Sequence, residues 1–152
     1  MTDLAYRPAT SADLPFIVAL IAADDVGIQM DDPGAPNAPP YEAALASITA
    51  DPNQELFVVE ANGEAVGTFQ LTYIPGISRK GMLRGLVESV HVSPEHRNQG
   101  YGKQMIRWAI ERCQARGCGM VQLTSNKKRL DAHRFYRALG FDQSHEGFKL
   151  FL

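Results

Sequence analysis

The sequence predicts one α/β domain built around a mixed sheet, and two observations lead to this fold class. Its 152 residues suit a single domain over 1–152, because two domains would each be too small to bury a stable core. Strand-like and helix-like segments follow one another in the order β-α-α-β-β-β-α-β-α-β, which is typical of a layered α/β arrangement.

The first half of the chain is predicted to hold a strand, two helices and a hairpin. Residues 4–9 suit a strand, and apolar residues at helical spacing predict a helix over 14–23 that ends near Asp24 and Asp25. The Pro-rich run 31–40 predicts a loop, and a helix is expected over 41–50. Segments 56–60 and 65–71 flank Asn62-Gly63, a pair that favours a tight hairpin turn.

The second half alternates strands with helices. A strand is expected over 82–92, a helix over 100–116 and a short strand over 121–124. A further helix over 131–139 should end at Gly140, since glycine commonly terminates helices. Residues 141–152 then predict one or two closing strands.

Composition and charge argue against several classes of partner. The formal net charge of −2 gives no overall field that would attract nucleic acid or an anionic membrane. No apolar run approaches the roughly 20 residues that cross a bilayer, and the first residues lack the pattern of a signal peptide. The two cysteines are expected to stay reduced in the cytoplasm, and the four scattered histidines offer no metal-ligand spacing. We therefore expect a cytoplasmic protein without metal, membrane or nucleic-acid partner.

The segment 87–103 carries the strongest chemical signal. A strand is followed by Pro94, and two glycines, Gly100 and Gly102, open an amphipathic helix. Free N–H groups at a helix N-terminus, together with the helix dipole, form an anion site, and the glycines let the backbone adopt positive φ and approach a ligand closely. Two known phosphate loops do not fit, because Gln104 stands where a P-loop has Ser or Thr, and Met105 stands where the dinucleotide fingerprint has glycine.

Two motifs resemble those of the GCN5-related N-acetyltransferase (GNAT) superfamily. Arg97, Gly100 and Gly102 are similar to the family's Gln/Arg-x-x-Gly-x-Gly/Ala motif, which binds the pyrophosphate of coenzyme A. Residues 132–141 resemble its Ala-x-x-Phe-Tyr-x-x-x-Gly-Phe segment. The resemblance covers essentially the whole chain. It implies a mixed, mostly antiparallel sheet of six or seven strands, flanked by about four helices and splayed at the two central strands.

The resemblance also implies a function and a set of donor-binding residues. The expected activity is direct transfer of an acetyl group from acetyl-coenzyme A to a primary amine of a small molecule or peptide. The backbone of Val90, His91 and Val92 would pair with the pantetheine arm, and the Val90 N–H would polarise the thioester carbonyl. The pyrophosphate would bind the segment formed by Arg97, Asn98, Gln99, Gly100, Tyr101, Gly102 and Lys103. Arg129 replaces an asparagine common in the family, and Asn126 is the candidate substitute.

Two side chains are candidates for proton transfer. An amine with a pKa of about 10.4 must lose a proton before it attacks, and Glu88 is the candidate base. The alternative for Glu88 is a strand carboxylate paired with Arg84. Tyr136 occupies the position of the family's acid, which protonates the departing thiolate; the alternative is a core aromatic beside Phe135. His91 and His133 are expected to be structural or exposed. The segment Lys127-Lys128-Arg129 either contacts the 3′-phosphate of coenzyme A or is a solvated loop.

Other functions and the acceptor remain open at this stage. A catalytically silent acyl-coenzyme A sensor would need the glycine segment but neither candidate catalytic residue, and an unrelated nucleotide-phosphate binder would prefer ATP. Homodimers are common in the family, but no residue in the sequence establishes one. The acceptor is expected at the first two helices and their loop, with Tyr73 and Arg84 as further contacts. Acidic residues there either favour a cationic amine or are simply solvated; they are Asp24, Asp25, Asp31 and Asp32.

Overall fold

A computed structural model of the chain describes residues 2–24 and 30–152. Its centre is a five-stranded sheet in the order β1-β2-β3-β4-β5. The first four strands pair antiparallel, and β5 joins β4 in parallel, so the predicted mixed, mostly antiparallel sheet is confirmed. The strands are β1 (Leu4–Pro8), β2 (Gln54–Ala61), β3 (Glu64–Ile74), β4 (Arg84–Val92) and β5 (Met120–Gln122).

The four predicted helices are present in the described residues, with small shifts at their ends: α1 (Leu14–Ala22), α2 (Pro39–Ala50), α4 (Tyr101–Ala115) and α5 (Leu130–Ala138). A single turn that was not predicted, α3 (Ser78–Gly81), connects β3 to β4 and contains two residues with positive φ. The Pro-rich loop ends two residues earlier than predicted, because Pro39 and Pro40 occupy the first positions of α2, where a missing N–H costs nothing. The predicted helix end at Asp25 lies outside the described residues.

Helices cover the sheet and bury its apolar side chains. Apolar residues of α4 pack with those of the central strands in a cluster that includes Phe57, Val59, Phe69, Met105 and Ala109. Because successive side chains of a strand point to opposite faces, Val58 lies on the other face, and the buried residues of α1 also lie outside this cluster. The sheet is thus a middle layer.

The number of strands differs from the prediction. Six or seven strands were expected, with one or two over residues 141–152, but the structure has five, and no strand follows α5. The alternating pattern near residue 150 is that of a strand, but every residue from 142 to 152 is exposed. The expectation was wrong because a strand needs a neighbour as well as a pattern, and the described part of this chain supplies none.

The expected splay at two central strands is not found among the described strands; β4 instead extends beyond β5 at the side of the sheet. Only three residue pairs join β4 to β5: Arg84 with Met120, Gly85 with Val121, and Leu86 with Gln122. Beyond Leu86, β4 continues to Val92 without a neighbour on that side in the described residues. Since β5 is the last strand, the gap opens between the final two strands and not between two central ones.

Candidate active site

The open edge of β4 is shaped by a β-bulge. On the β3 side, Glu88 pairs with Gln70 and His91 pairs with Thr68, so two residues of β4, Ser89 and Val90, lie opposite one residue of β3. Ser89 has a φ of 49°, in the left-handed region that non-glycine residues seldom adopt. A bulge bends its strand and redirects the backbone groups that follow. The bulge therefore changes the direction of β4 along the gap.

Close packing holds the other end of β4 against α4. A Cβ atom built at Gly85 would lie less than 3.0 Å from Cys113 Sγ and 3.3 Å from Cys113 Cβ. Cys113 is fully buried, and burial raises the pKa of its thiol to about 12. The helix can approach this closely only because residue 85 has no side chain.

Short hydrogen bonds fix the segment that follows β4. The N–H of Ser93 donates to the carbonyl of Val66 at 2.8 Å, and the N–H of His96 donates to the carbonyl of Ser93 at 2.9 Å. Ser93 Oγ and His96 Nδ1 are hydrogen-bonded at 2.6 Å. Ser93 is buried, so the start of the glycine segment is tied to the sheet. Arg97 Nε also donates to the carbonyl of Val92, at 3.3 Å.

The glycine segment presents the start of α4 to solvent. Gly100 precedes the helix with a φ of 81°, and a Cβ atom built there would have nothing within 4 Å. The N–H of Gln104 donates to the carbonyl of Gly100, and helix geometry leaves the N–H groups just before it without intrahelical acceptors. Such donors, with the helix dipole, can hold a diphosphate. The predicted positive φ at a motif glycine is confirmed.

The side chains of this segment differ in their exposure. Four of them, those of Arg97, Asn98, Gln99 and Lys103, are exposed, and Asn98 has a φ of 60°. Tyr101 is buried, and its side chain packs in the core cluster. Two exposed cationic side chains, those of Arg97 and Lys103, therefore flank Gly100 in the sequence.

Helix α5 brings Tyr136 to the same region. A Cβ atom built at Gly102 would lie 3.6 Å from Phe135 Cζ, so α5 packs over the start of α4. The ring of Tyr136 makes edge contacts with Phe135 and Phe141, at centroid distances of 5.1 and 5.9 Å. Burial raises the pKa of Tyr136, which keeps its hydroxyl protonated at neutral pH, while Arg129 lowers that pKa by a smaller amount. The described residues provide no hydrogen-bond partner for this hydroxyl.

Glu88 lies on β4 beside the bulge and is exposed. The alternative in which it pairs with Arg84 is not found, because no ion pair joins these residues in the described structure. Its neighbour His91 is half-buried. Burial lowers the pKa of His91, Asp24 raises it, and nearby Arg129 and Arg97 lower it further, so the ring is neutral at neutral pH.

Asn126 shapes the turn that leads into α5. Its side-chain oxygen accepts the N–H of Lys128 at 3.0 Å, and its carbonyl accepts the N–H of Arg129 at 2.9 Å. The same carbonyl lies 2.9 Å from His133 Nε2. Arg129 pairs with Asp24 at 3.3 Å and so links this turn to the end of α1. Sequence reasoning missed this ion pair and the bulge at Ser89, since neither leaves a local signal.

The residues expected around the acceptor separate into different environments. Tyr73 is 1% exposed, and its hydroxyl donates to Glu55 at 2.7 Å, so it is a core residue and the suggestion that it contacts the acceptor was wrong. Asp31 accepts the hydroxyl of Tyr41 at 3.0 Å, and Asp32 accepts the N–H of Gly34 at 2.9 Å. Asp25 lies outside the described residues. Over the ranges described, no three potential ligands form a metal cluster, and no helix is long and apolar enough to span a bilayer.

Comparison with known proteins identifies a family. Residues 26–141 match the model of the Acetyltransferase (GNAT) family. An aminoalkylphosphonate N-acetyltransferase of Salmonella typhimurium is 33% identical over 105 residues, which are 69% of this chain and 68% of that protein. A glucosamine 6-phosphate N-acetyltransferase of Trypanosoma brucei brucei is 33% identical over 115 residues, 72% of this chain and 76% of that protein. The crystal structure of a transcriptional regulator from Bacillus halodurans C-125 has a TM-score of 0.93 at 39% identity, covering 99% of this chain and 100% of that chain.

Proposed function

The chain belongs to the acetyltransferase (GNAT) family, and from that premise we propose that it transfers an acetyl group from acetyl-coenzyme A directly to a primary amine. The observation that carries the proposal is the proximity of two features, an exposed helix start at Gly100 and the unpaired, bulged edge of β4 that leads to it. One suits a diphosphate and the other suits an extended amide chain. A coenzyme A molecule contains both groups in sequence.

The donor-binding residues follow from this arrangement. Backbone N–H groups between Asn98 and Lys103 would hold the pyrophosphate, and Arg97 and Lys103 would add positive charge at its edges. The edge of β4 at Val90, His91 and Val92 would pair with the pantetheine amides. The space beside Gly100 supports this proposal, because a backbone without a side chain lets a ligand approach closely. Asn126 is proposed as a further contact at the start of α5.

The chemistry requires two proton transfers. Acetyl-coenzyme A supplies the acetyl group as a thioester. Glu88 would accept a proton from the amine, directly or through water, so that the nitrogen can form a bond to the acetyl carbon as the carbon–sulfur bond breaks. The Val90 N–H would donate to the carbonyl oxygen where negative charge develops. The hydroxyl of Tyr136 would give its proton to the departing sulfur. Burial raises its pKa and so keeps the proton on the oxygen at neutral pH, and the described residues provide that oxygen with no hydrogen-bond partner.

We propose a small-molecule or peptide amine as the acceptor, and small molecules that carry an anionic group are the first to test. The names of two relatives describe such compounds, an aminoalkylphosphonate and glucosamine 6-phosphate. The proposal places the reaction in the cytoplasm, where the free thiols of Cys113 and Cys118 would stay reduced.

A thiol-release assay over a panel of amines tests the activity. The panel should contain an aminoalkylphosphonate, glucosamine 6-phosphate, polyamines, aminoglycosides and a short peptide, each with acetyl-coenzyme A as donor. Release that depends on one class of amine supports the proposal and identifies the acceptor. Calorimetry, which measures the binding of acetyl-coenzyme A and of ATP, distinguishes the remaining alternatives. Binding of acetyl-coenzyme A without release for any amine would favour a silent sensor, and tighter binding of ATP would refute the assignment of the donor.

A further inference from the structure

The C-terminal end of α4 is closed by a glycine and two backbone hydrogen bonds. Gly117 follows the helix with a φ of 87°, and its N–H donates to the carbonyl of Gln114 at 3.0 Å. The N–H of Cys118 donates to the carbonyl of Cys113 at 2.9 Å. These two bonds form a Schellman motif, in which the side chains of the residues joined by the longer-range bond are commonly in contact. In this motif both of those residues are cysteines.

Helix α5 ends in the same motif and shows the contact that it produces. Gly140 has a φ of 96°, and its N–H donates to the carbonyl of Arg137 at 3.0 Å. The N–H of Phe141 donates to the carbonyl of Tyr136 at 3.1 Å, and the rings of these two residues make an edge contact at a centroid distance of 5.9 Å. At the end of α4 the equivalent side chains are the two thiols.

The two thiols lie together over the start of β4. A Cβ atom built at Gly85 would lie less than 3.0 Å from Cys113 Sγ and 3.7 Å from Cys118 Sγ, and the thiols are hydrogen-bonded to each other. With standard bond lengths, the 2.9 Å backbone bond keeps their Cα atoms within about 7 Å. Disulfides join Cα atoms that are about 4.4–6.8 Å apart, so these two cysteines are placed to form one.

We propose that Cys113 and Cys118 form a redox-active site, at which a small disulfide such as glutathione disulfide converts the two thiols into one reversible disulfide bond. The thiolate of Cys118 attacks one sulfur of glutathione disulfide, which forms a mixed disulfide and releases one glutathione. The thiolate of Cys113 then attacks the sulfur of Cys118, so that the bond joins the two cysteines and the second glutathione leaves. The two protons lost by the cysteines end on the two glutathione molecules, and two electrons reduce the glutathione disulfide.

The surroundings of the thiols determine the order and the rate of these steps. Cys118 reacts first because it is partly exposed, whereas Cys113 is fully buried. Burial raises the pKa of both thiols, that of Cys113 to about 12, so both are protonated at neutral pH and exchange is slow. The N–H of Gly119 donates to the carbonyl of Leu83 at 2.8 Å, and β5 begins at Met120. The disulfide therefore links the end of α4 to the chain that enters β5.

Mass spectrometry on the full chain tests the site by counting thiols. After a long incubation of the folded protein with glutathione disulfide, the wild type should lose both thiols and about 2 Da, and dithiothreitol should restore both thiols. Cys113→Ala is the matched variant, because it keeps Cys118 and removes the thiol that displaces glutathione. It should retain one bound glutathione. Because no activity is measured, this test is independent of the proposed function.

A titration with mixtures of glutathione and its disulfide separates the effect of the fold from that of the short spacing in sequence. The wild type is equilibrated with these mixtures in buffer and in urea that unfolds it. The equilibrium constant for forming the disulfide should be at least about tenfold larger in the folded chain, because the fold holds the thiols together. Equal constants in the two states would overturn the proposal. So would a folded wild type that keeps both thiols, stops at the mixed disulfide or cross-links to a second chain.

Discussion

Replacing Gly85 with alanine should destabilise the protein through a single clash. The new Cβ would lie less than 3.0 Å from Cys113 Sγ, a separation that real Cβ atoms essentially never show. Cys113 is fully buried on α4, so neither the sulfur nor the helix can move without disturbing the core. Overpacking of this kind costs about 1–3 kcal/mol. For a chain of this size, that loss lowers the melting temperature by about 2–12 °C.

The clash can be tested by removing its other partner. In the double variant Gly85→Ala, Cys113→Ala the sulfur is gone, and the closest remaining contact to residue 113 is 3.3 Å, between two Cβ atoms. Urea unfolding of the wild type, both single variants and the double variant gives the coupling between the two sites. We expect the double variant to be at least about 1 kcal/mol more stable than the sum of the single losses predicts.

A matched glycine controls for the substitution itself. Gly76 has only an ordinary contact at 3.9 Å, to the carbonyl of Met82, and its φ is not positive. Gly76→Ala should therefore change stability by no more than about 0.5 kcal/mol. Additive losses at Gly85 and Cys113, or equal losses at Gly85 and Gly76, would refute the packing argument.

Three further predictions concern the site and the response to pH. Tyr136→Phe should lower kcat by about 10²-fold or more while the Kd for acetyl-coenzyme A is unchanged; unchanged turnover would remove the acid role. Gly100→Ala and Gly63→Ala should each cost about 1–2 kcal/mol of stability, since their φ values are 81° and 80°, but only Gly100→Ala should weaken acetyl-coenzyme A binding, by about 5–30-fold in calorimetry. Equal affinities for these two variants would contradict a ligand at Gly100. Hydrogen bonds from Arg112 hold the pKa of Glu55 below its usual range, so this contact stabilises the protein above the unfolded-state pKa and is lost as pH falls through the lowered folded-state value. Glu55→Gln should therefore show a smaller drop in melting temperature than the wild type between about pH 7 and about pH 3, and an equal drop would contradict this account.

Turns set by local residue preferences could be predicted from the sequence. Asn62 and Gly63 have φ values of 52° and 80°, as expected for an Asn-Gly hairpin turn, and Gly100 has the positive φ expected at the start of α4. Ser89, Arg79 and Lys80 are also left-handed, yet their residue types give no such signal. The conformation of Ser89 belongs to the irregular pairing of β4 with β3, so the bulge beside Glu88 could not be predicted.

Features that depend on distant parts of the chain were beyond sequence reasoning. The ion pair between Arg129 and Asp24 joins residues far apart in sequence. Residues 142–152 show the same limit from the other side. Closing strands were predicted there, but whether a strand forms depends on which edge is available, and among the described residues no strand pairs with β5 on that side. A local pattern predicts the tendency of a segment and not its partner.

The gap beside β4 is produced by contacts that lie outside the gap itself. At one end, Gly85 lets α4 pack directly against the strand. In the middle, the bulge at Ser89 is formed against β3, and at the far end the N–H of Ser93 is bonded to the carbonyl of Val66. None of these contacts needs a ligand, so the backbone groups proposed to bind acetyl-coenzyme A are oriented in its absence, and such pre-organisation reduces the free energy lost on binding. This arrangement distinguishes two kinds of residue. Changes at Gly85 should alter the stability of the whole protein. Changes at Glu88, whose side chain is exposed, should alter turnover with little effect on the fold.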